Sequence, residues 1–149
     1  MTLLIDADWL VYTSCCNAER EYEWMRDLWS FKFDAQEVHE IIDTRVERYQ
    51  AIAEGDKDVV MCFTEYPTFR HTIYPEYKAN RKEKRKPCRY RETIEQVKER
   101  YTSESYSGLE GDDVLGILAT SKKYPDPIVV SIDKDMRSVP CTLLAGDDM

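Results

Sequence analysis

Three short, almost wholly apolar runs, residues 3–5, 59–63 and 128–132, each meet an acid within two residues of their carboxyl end: Asp6, Glu65 and Asp133. A strand with one wet face alternates apolar and polar residues, so an unbroken apolar run marks a strand covered on both faces, as in a parallel sheet between helices. Between the runs the spacing turns helical. Val38, Ile41, Ile42, Val46, Tyr49 and Ile52 predict a helix over 34–54, with Gly55 as its stop. Further helices are expected from near Trp9, capped by Asp8, and over 90–101 and 109–121, with a last strand at 141–145. The predicted fold is α/β, one domain over residues 1–149, with a mainly parallel central sheet flanked by helices. In such sheets the functional crevice lies beyond the carboxyl ends of the strands. Asp6, Glu65, Asp133 and Asp135 follow strands there, and Glu110, Asp112 and Asp113 open a helix at the same edge, so seven carboxylates are expected around one crevice.

Other architectures fall away. The apolar runs are far too short to span a bilayer, and the N-terminus reaches Asp6 without a basic leader, so no membrane partner and a cytoplasmic location are expected (host cytoplasm for a phage-encoded chain). Cys15, Cys16, Cys62, Cys88 and Cys141 show no CxxC pair and no ligand spacing with His39 or His71, which argues against zinc and against a disulfide framework. Each cysteine reads as a small apolar filler. The net charge of −8 hides a sharp asymmetry: residues 78–91 hold eight basic residues and one acid, leaving 13 basic and 28 acidic elsewhere. These eight are Lys78, Arg81, Lys82, Lys84, Arg85, Lys86, Arg89 and Arg91, lying near Tyr74, Tyr77 and Tyr90. Basic side chains neutralise phosphates and aromatic faces stack on unpaired bases, so this segment is a candidate nucleic-acid clamp. The bland alternative is a solvated charged face.

Clustered carboxylates repel and raise each other's pKa, and a hard divalent cation removes that cost. Two such ions about 4 Å apart can activate a water and stabilise a leaving oxygen in phosphoryl displacement. Singly, each acid has a plain reading as a strand-end residue, a helix-dipole partner or a solvated turn. Neither a P-loop, a GxGxxG nor a Ser-His-Asp set offers other chemistry.

At these residues the chain resembles the flap-endonuclease-like 5′-nucleases, in particular podovirus 5′→3′ exonucleases. Leu3-Leu-Ile-Asp-Ala-Asp-Trp-Leu-Val11 is similar to the family's first strand and metal-binding Asp. Phe63-Thr-Glu65, Phe69-Arg70 and Pro75-Glu-Tyr-Lys-Ala-Asn-Arg81 resemble the second acidic motif and the PxYKxNR signature. Leu109-Glu-Gly-Asp-Asp-Val114 and Ser131-Ile-Asp-Lys-Asp135 resemble the third and fourth motifs. The resemblance implies a PIN-like (resolvase-like) nuclease fold with two Mg²⁺ or Mn²⁺ ions and a helical arch or loop at about 66–91. It implies that Lys78 and Arg81 reach the scissile phosphate and that Tyr12 stacks on a terminal base. Two departures stand out. Glu65 replaces the usual Asp, which suits a ligand acting through water. The family also continues into a helical DNA-binding region with further aspartates, whereas this chain runs only 14 residues beyond Asp135.

The expected function is therefore metal-dependent hydrolysis of DNA at 5′ ends, flaps or nicks, with RNA–DNA hybrid a second candidate substrate. Asp6, Glu110, Asp112, Asp133 and Asp135 are the expected core ligands, with Glu65 and Asp113 supporting. Lys78 and Arg81 are expected to stabilise phosphate charge, while Tyr12, Arg70, Lys82, Lys84, Arg85, Lys86, Arg89 and Arg91 position the strand. One rival is a split nuclease whose partner chain supplies the helical region. Another is a PIN-type ribonuclease.

Overall fold

The computed structural model describes residues 2–26, 28–32, 34–53, 58–66, 68, 70, 87, 89–124, 126–133, 136 and 142–145, with backbone alone at 20–24, 29–32 and 145. Gly55, residues 71–86, Asp135 and the rest of the chain lie outside them. Strand β1 (Thr2–Asp6) leads directly into helix α1 (Ala7–Ala18), and a hairpin of β2 (Arg20–Met25) and β3 (Leu28–Lys32) follows. Then come α2 (Ala35–Ile52), β4 (Asp58–Cys62), α3 (Tyr90–Arg100), β5 (Thr102–Glu104), α4 (Gly111–Thr120), β6 (Pro127–Ser131) and β7 (Thr142–Ala145).

Five strands form one sheet in the order β5-β4-β1-β6-β7, every neighbouring pair parallel. β1, apolar from Leu3 to Ile5, lies at its centre, with Leu4 opposite Val60 on one side and Val129 on the other. Side chains along a strand alternate faces, so β1 feeds two cores. Leu3 and Ile5, with Met61 and Val130, pack among α1, α2 and α3 through Leu10, Val11, Cys15, Val38, Ile42, Val46, Tyr49 and Val97. Leu4, with Val60, Cys62 and Val129, packs against Val114, Leu115 and Leu118 of α4 and against Met136. The sheet is thus a middle layer between helices, as the sequence predicts. The chain steps outward from β1 through β4 to β5, then returns to the other side of β1 with β6. That reversal opens a crevice at the carboxyl end of β1.

Local chemistry sets the helix starts. Asp34 caps α2, its carboxylate accepting from the backbone N–H of Gln36 (2.9 Å) and Glu37 (3.4 Å). The cap expected of Asp8 is a different arrangement: α1 begins at Ala7, and Asp8 lies inside its first turn with its carboxylate turned to another element. Arg45 of α2 is buried against α1, its guanidinium 4.8 Å from the Trp9 ring centroid and donating to Thr13 Oγ1 at 2.6 Å. The thiols Cys15 and Cys62 are buried filler, as expected, but Cys16 is exposed on α1. Among the described residues no helix is long and apolar enough to cross a membrane.

Candidate active site

Asp6 ends β1 and stands at the N-terminus of α1, and its carboxylate accepts from Ser131 Oγ at 3.3 Å. Ser131 ends β6, and its hydroxyl also accepts from the backbone N–H of Asp133 at 3.1 Å. One serine therefore ties the Asp6 carboxylate at the end of β1 to the backbone of Asp133 just past β6. From the other layer, α4 brings Glu110, Asp112 and Asp113 in its first turn. Asp113 Oδ2 accepts from the Glu110 N–H at 3.1 Å, closing that turn.

Asp6 and Asp112, brought in by different layers, lie within electrostatic reach of each other. Burial pushes the Asp6 carboxyl up to about 7, helped by Asp8 and, more weakly, Asp112, against hydrogen bonds from the Trp9 backbone and Ser131. Asp112 is raised above its ordinary value by burial first, then by Asp113, Glu110 and Asp133. Asp8 is raised by burial, opposed by its hydrogen bonds from Thr64 and by the Lys98 ammonium. Asp6, Asp8 and Asp112 are thus each raised by burial and by neighbouring acids, drawn from β1, α1, α4 and the end of β6.

Asp8 is the member that sequence reading cast in another role. Its Oδ2 accepts from the Thr64 backbone N–H at 2.8 Å, and Thr64 Oγ1 accepts from the Gly111 N–H at 2.8 Å. A Cβ on Gly111 would lie 3.1 Å from Asp8 Oδ2 and 3.5 Å from the Cys62 carbonyl oxygen. Glycine here lets α4 approach the end of β4 closely enough for this latch to form. The one available signal was the repeated acid in Asp6-Ala-Asp8, two residues apart.

The remaining expected residues are placed as follows. Glu65 lies just past β4 with an exposed side chain, its backbone N–H donating to the Leu109 carbonyl at 3.1 Å. Arg70 forms a two-pronged pair with Asp113 (2.6 and 3.0 Å) and lies 3.7 Å from Glu110 Oε2. Tyr12, 40% exposed on α1, meets Tyr90 of α3 edge to face with ring centroids 5.6 Å apart. Arg89 and Arg91 are exposed at the start of α3, where Arg89 adopts the left-handed φ of 54°. Lys78, Arg81, Lys82, Lys84, Arg85, Lys86 and Asp135 lie outside the described residues.

Among the described residues no three Asp, Glu, His or Cys side chains are grouped closely enough to hold one ion. The donor set nonetheless fits a hard divalent cation: carboxylate oxygens, one strongly desolvated, crowding negative charge at the mouth of a sheet. A linkage prediction follows. Folded Asp6 holds its proton more tightly than the unfolded chain, so this group's contribution to stability falls as pH rises from about 4 to about 7. A cation competes with that proton. Mn²⁺ should therefore raise Tm more at pH 8 than at pH 5.5, as scanning calorimetry would measure, and equal shifts would contradict a cation site at Asp6.

A parallel α/β domain with a carboxylate cluster at the carboxyl edge of its central strand is the architecture of a resolvase-like domain. Over residues 2–142 the chain matches the family described as 5'-3' exonuclease, N-terminal resolvase-like domain, and it belongs to that family. It is 31% identical over 148 residues to the exodeoxyribonuclease of Enterobacteria phage T3, covering 93% of this chain and 48% of that protein. The exonuclease of Escherichia phage T7 is likewise 31% identical, over 93% of this chain and 49% of that one. The chain thus spans about half the length of the curated relatives it matches. In fold it is similar to the bacteriophage T5 flap endonuclease, described as a pseudo-enzyme–product complex with DNA and metal ions. That match has a TM-score of 0.57 at 14% identity, over 97% of this chain and 54% of the other. A T5 5′-exonuclease described with zinc ions bound gives 0.55 at 16% identity, over 97% and 55%.

Proposed function

We propose that this chain is the catalytic part of a 5′-nuclease, hydrolysing DNA phosphodiester bonds at 5′ ends, flaps or nicks with the help of two divalent cations, Mg²⁺ or Mn²⁺. The observation that carries the reading is Asp112 at the start of α4, raised by burial and by Asp113, Glu110 and Asp133, and itself one of the acids that raise the buried Asp6 at the end of β1. Membership of an exonuclease family and the metal-bound, DNA-bound state described for the fold relative support it.

Asp6, Glu110, Asp112 and Asp133 would hold the cations, joined by Asp135. When bound, the ions lower the pKa of a water and neutralise charge building on the phosphate. The chain does the rest. Ser131 fixes Asp6 and Asp133 relative to each other. The Asp8–Thr64–Gly111 latch sets α4 against β4, and so sets the angle at which Glu110 and Asp112 enter the crevice. Glu65, exposed beside them, suits contact through water. Lys78 and Arg81 would stabilise phosphate charge, and the basic run to Arg91 would hold the backbone. Tyr12 offers an exposed ring steadied by Tyr90, suited to stacking on a terminal base.

The substrate class is tested by offering equal amounts of 5′-flapped duplex DNA and single-stranded RNA of the same sequence in Mn²⁺. Faster cutting of the flapped DNA, releasing product from the 5′ side, is the expected result. Preference for the RNA would replace this reading with a ribonuclease.

A further inference from the structure

From the pairing of Arg70 with Asp113 we infer that Arg70 is a positioning residue of the cation site, acting through the first turn of α4 and not through DNA. The inference rests on the proposed cation site and adds a role to it. Arg70 stands immediately before the Tyr- and Lys-rich run that begins at His71, where a phosphate contact would be the natural reading. Its guanidinium instead grips α4. Nη1 and Nη2 each donate to a different oxygen of Asp113, at 2.6 and 3.0 Å, the fork-to-fork arrangement that fixes both the distance and the plane of a carboxylate. The same Nη1 lies 3.7 Å from Glu110 Oε2, whose residue is buried.

Asp113 is in turn built into the helix start. Its Oδ2 accepts the Glu110 backbone N–H, and its own backbone N–H donates to Asp112 Oδ1 at 3.1 Å. Arg70, Asp113, Asp112 and Glu110 are therefore one connected unit. The guanidinium sets Asp113, Asp113 sets the peptide of Glu110, and the turn sets the carboxylates of Glu110 and Asp112, of which Asp112 lies within electrostatic reach of Asp6 and Asp133. With both oxygens engaged by Arg70, Asp113 is a poor direct ligand and a good brace. The guanidinium also places one positive charge behind an acidic turn, keeping that turn assembled without a cation. Arginine is required for this, since lysine offers a point charge and no fork.

The test uses the full chain with Arg70→Gln, Arg70→Lys, Asp113→Asn and the Arg70→Gln/Asp113→Asn pair, each checked for a cooperative melt. Mn²⁺ affinity is read by titration calorimetry, and affinity for a 5′-flapped duplex is read in EDTA across a salt series. Loss of a group that orients metal ligands costs about 10- to 100-fold in metal affinity. Arg70→Gln should weaken Mn²⁺ binding on that scale, Arg70→Lys should restore little of it, and the double variant should be no weaker than Asp113→Asn alone. DNA affinity in EDTA and its salt slope should stay at the wild-type values. Unchanged Mn²⁺ affinity in a folded Arg70→Gln or Arg70→Lys protein would overturn the inference, as would a loss confined to DNA affinity with a shallower salt slope. Failure of the wild-type chain to bind Mn²⁺ at all would overturn the cation site itself, a result separable from the Arg70 variants.

Discussion

Asp133→Asn is expected to lower metal-dependent cleavage by at least about 10²-fold, the scale of removing one preorganised charge-stabilising group, while leaving the fold intact. The asparagine is isosteric, and two backbone hydrogen bonds of residue 133 are untouched by the change. Its N–H donates to Ser131 Oγ at 3.1 Å, and its carbonyl accepts from the Met136 N–H at 3.2 Å. What changes is charge. Asp133 is one of the acids that raise Asp112, so the substitution relieves repulsion in the crevice and the apo variant should melt no lower than wild type. Cleavage rates in Mg²⁺ together with a thermal melt check both halves. Activity above a few per cent of wild type in a folded variant would remove Asp133 from the ligand set.

Phe63→Ala should have the opposite signature, a large loss of stability. Phe63 is 1% exposed just past β4, in the core that α1, α2 and α3 share. Lys98 of α3 covers its ring, with Nζ 5.2 Å from the centroid. Truncating a buried phenylalanine costs about 3–5 kcal/mol, a large part of the roughly 5–15 kcal/mol that holds a domain folded. Phe63→Leu keeps most of the volume and should cost clearly less. Urea denaturation checks this: a lower midpoint with unchanged slope is expected. A loss under about 1 kcal/mol would show that the site collapses around the gap, against the close packing described above.

The parts of the fold legible in the sequence are those whose own residues determine them. β1, β4 and β6 stand out because they are covered on both faces, and α2 because its apolar residues keep one stripe. The β2–β3 hairpin was not legible. Its strands mix charged and aromatic residues, and its turn at Met25 to Leu28 lacks the Asn-Gly or Asp-Gly pair that marks a tight hairpin. β5 was missed because Thr-Ser-Glu has no apolar pattern, and pairing with β4 makes it a strand. The same division holds at the site. Asp6, Asp112 and Asp133 are visible singly, and the parallel topology brings the elements that carry them to one edge. The Asp8–Thr64–Gly111 latch and the Arg70–Asp113 pair join residues 43 to 56 positions apart, so no local pattern carries them.

The central claim is that the carboxylates at the end of β1 hold the cations on which cleavage depends. The most direct measurement incubates the purified chain with a 5′-labelled flapped duplex in Mg²⁺, Mn²⁺ or EDTA, alongside a Mn²⁺ binding titration. The account predicts cutting from the 5′ side in either cation, none in EDTA, and saturable Mn²⁺ binding. Cutting that persists in EDTA, or a folded chain that neither binds Mn²⁺ nor cuts the flap, would contradict it.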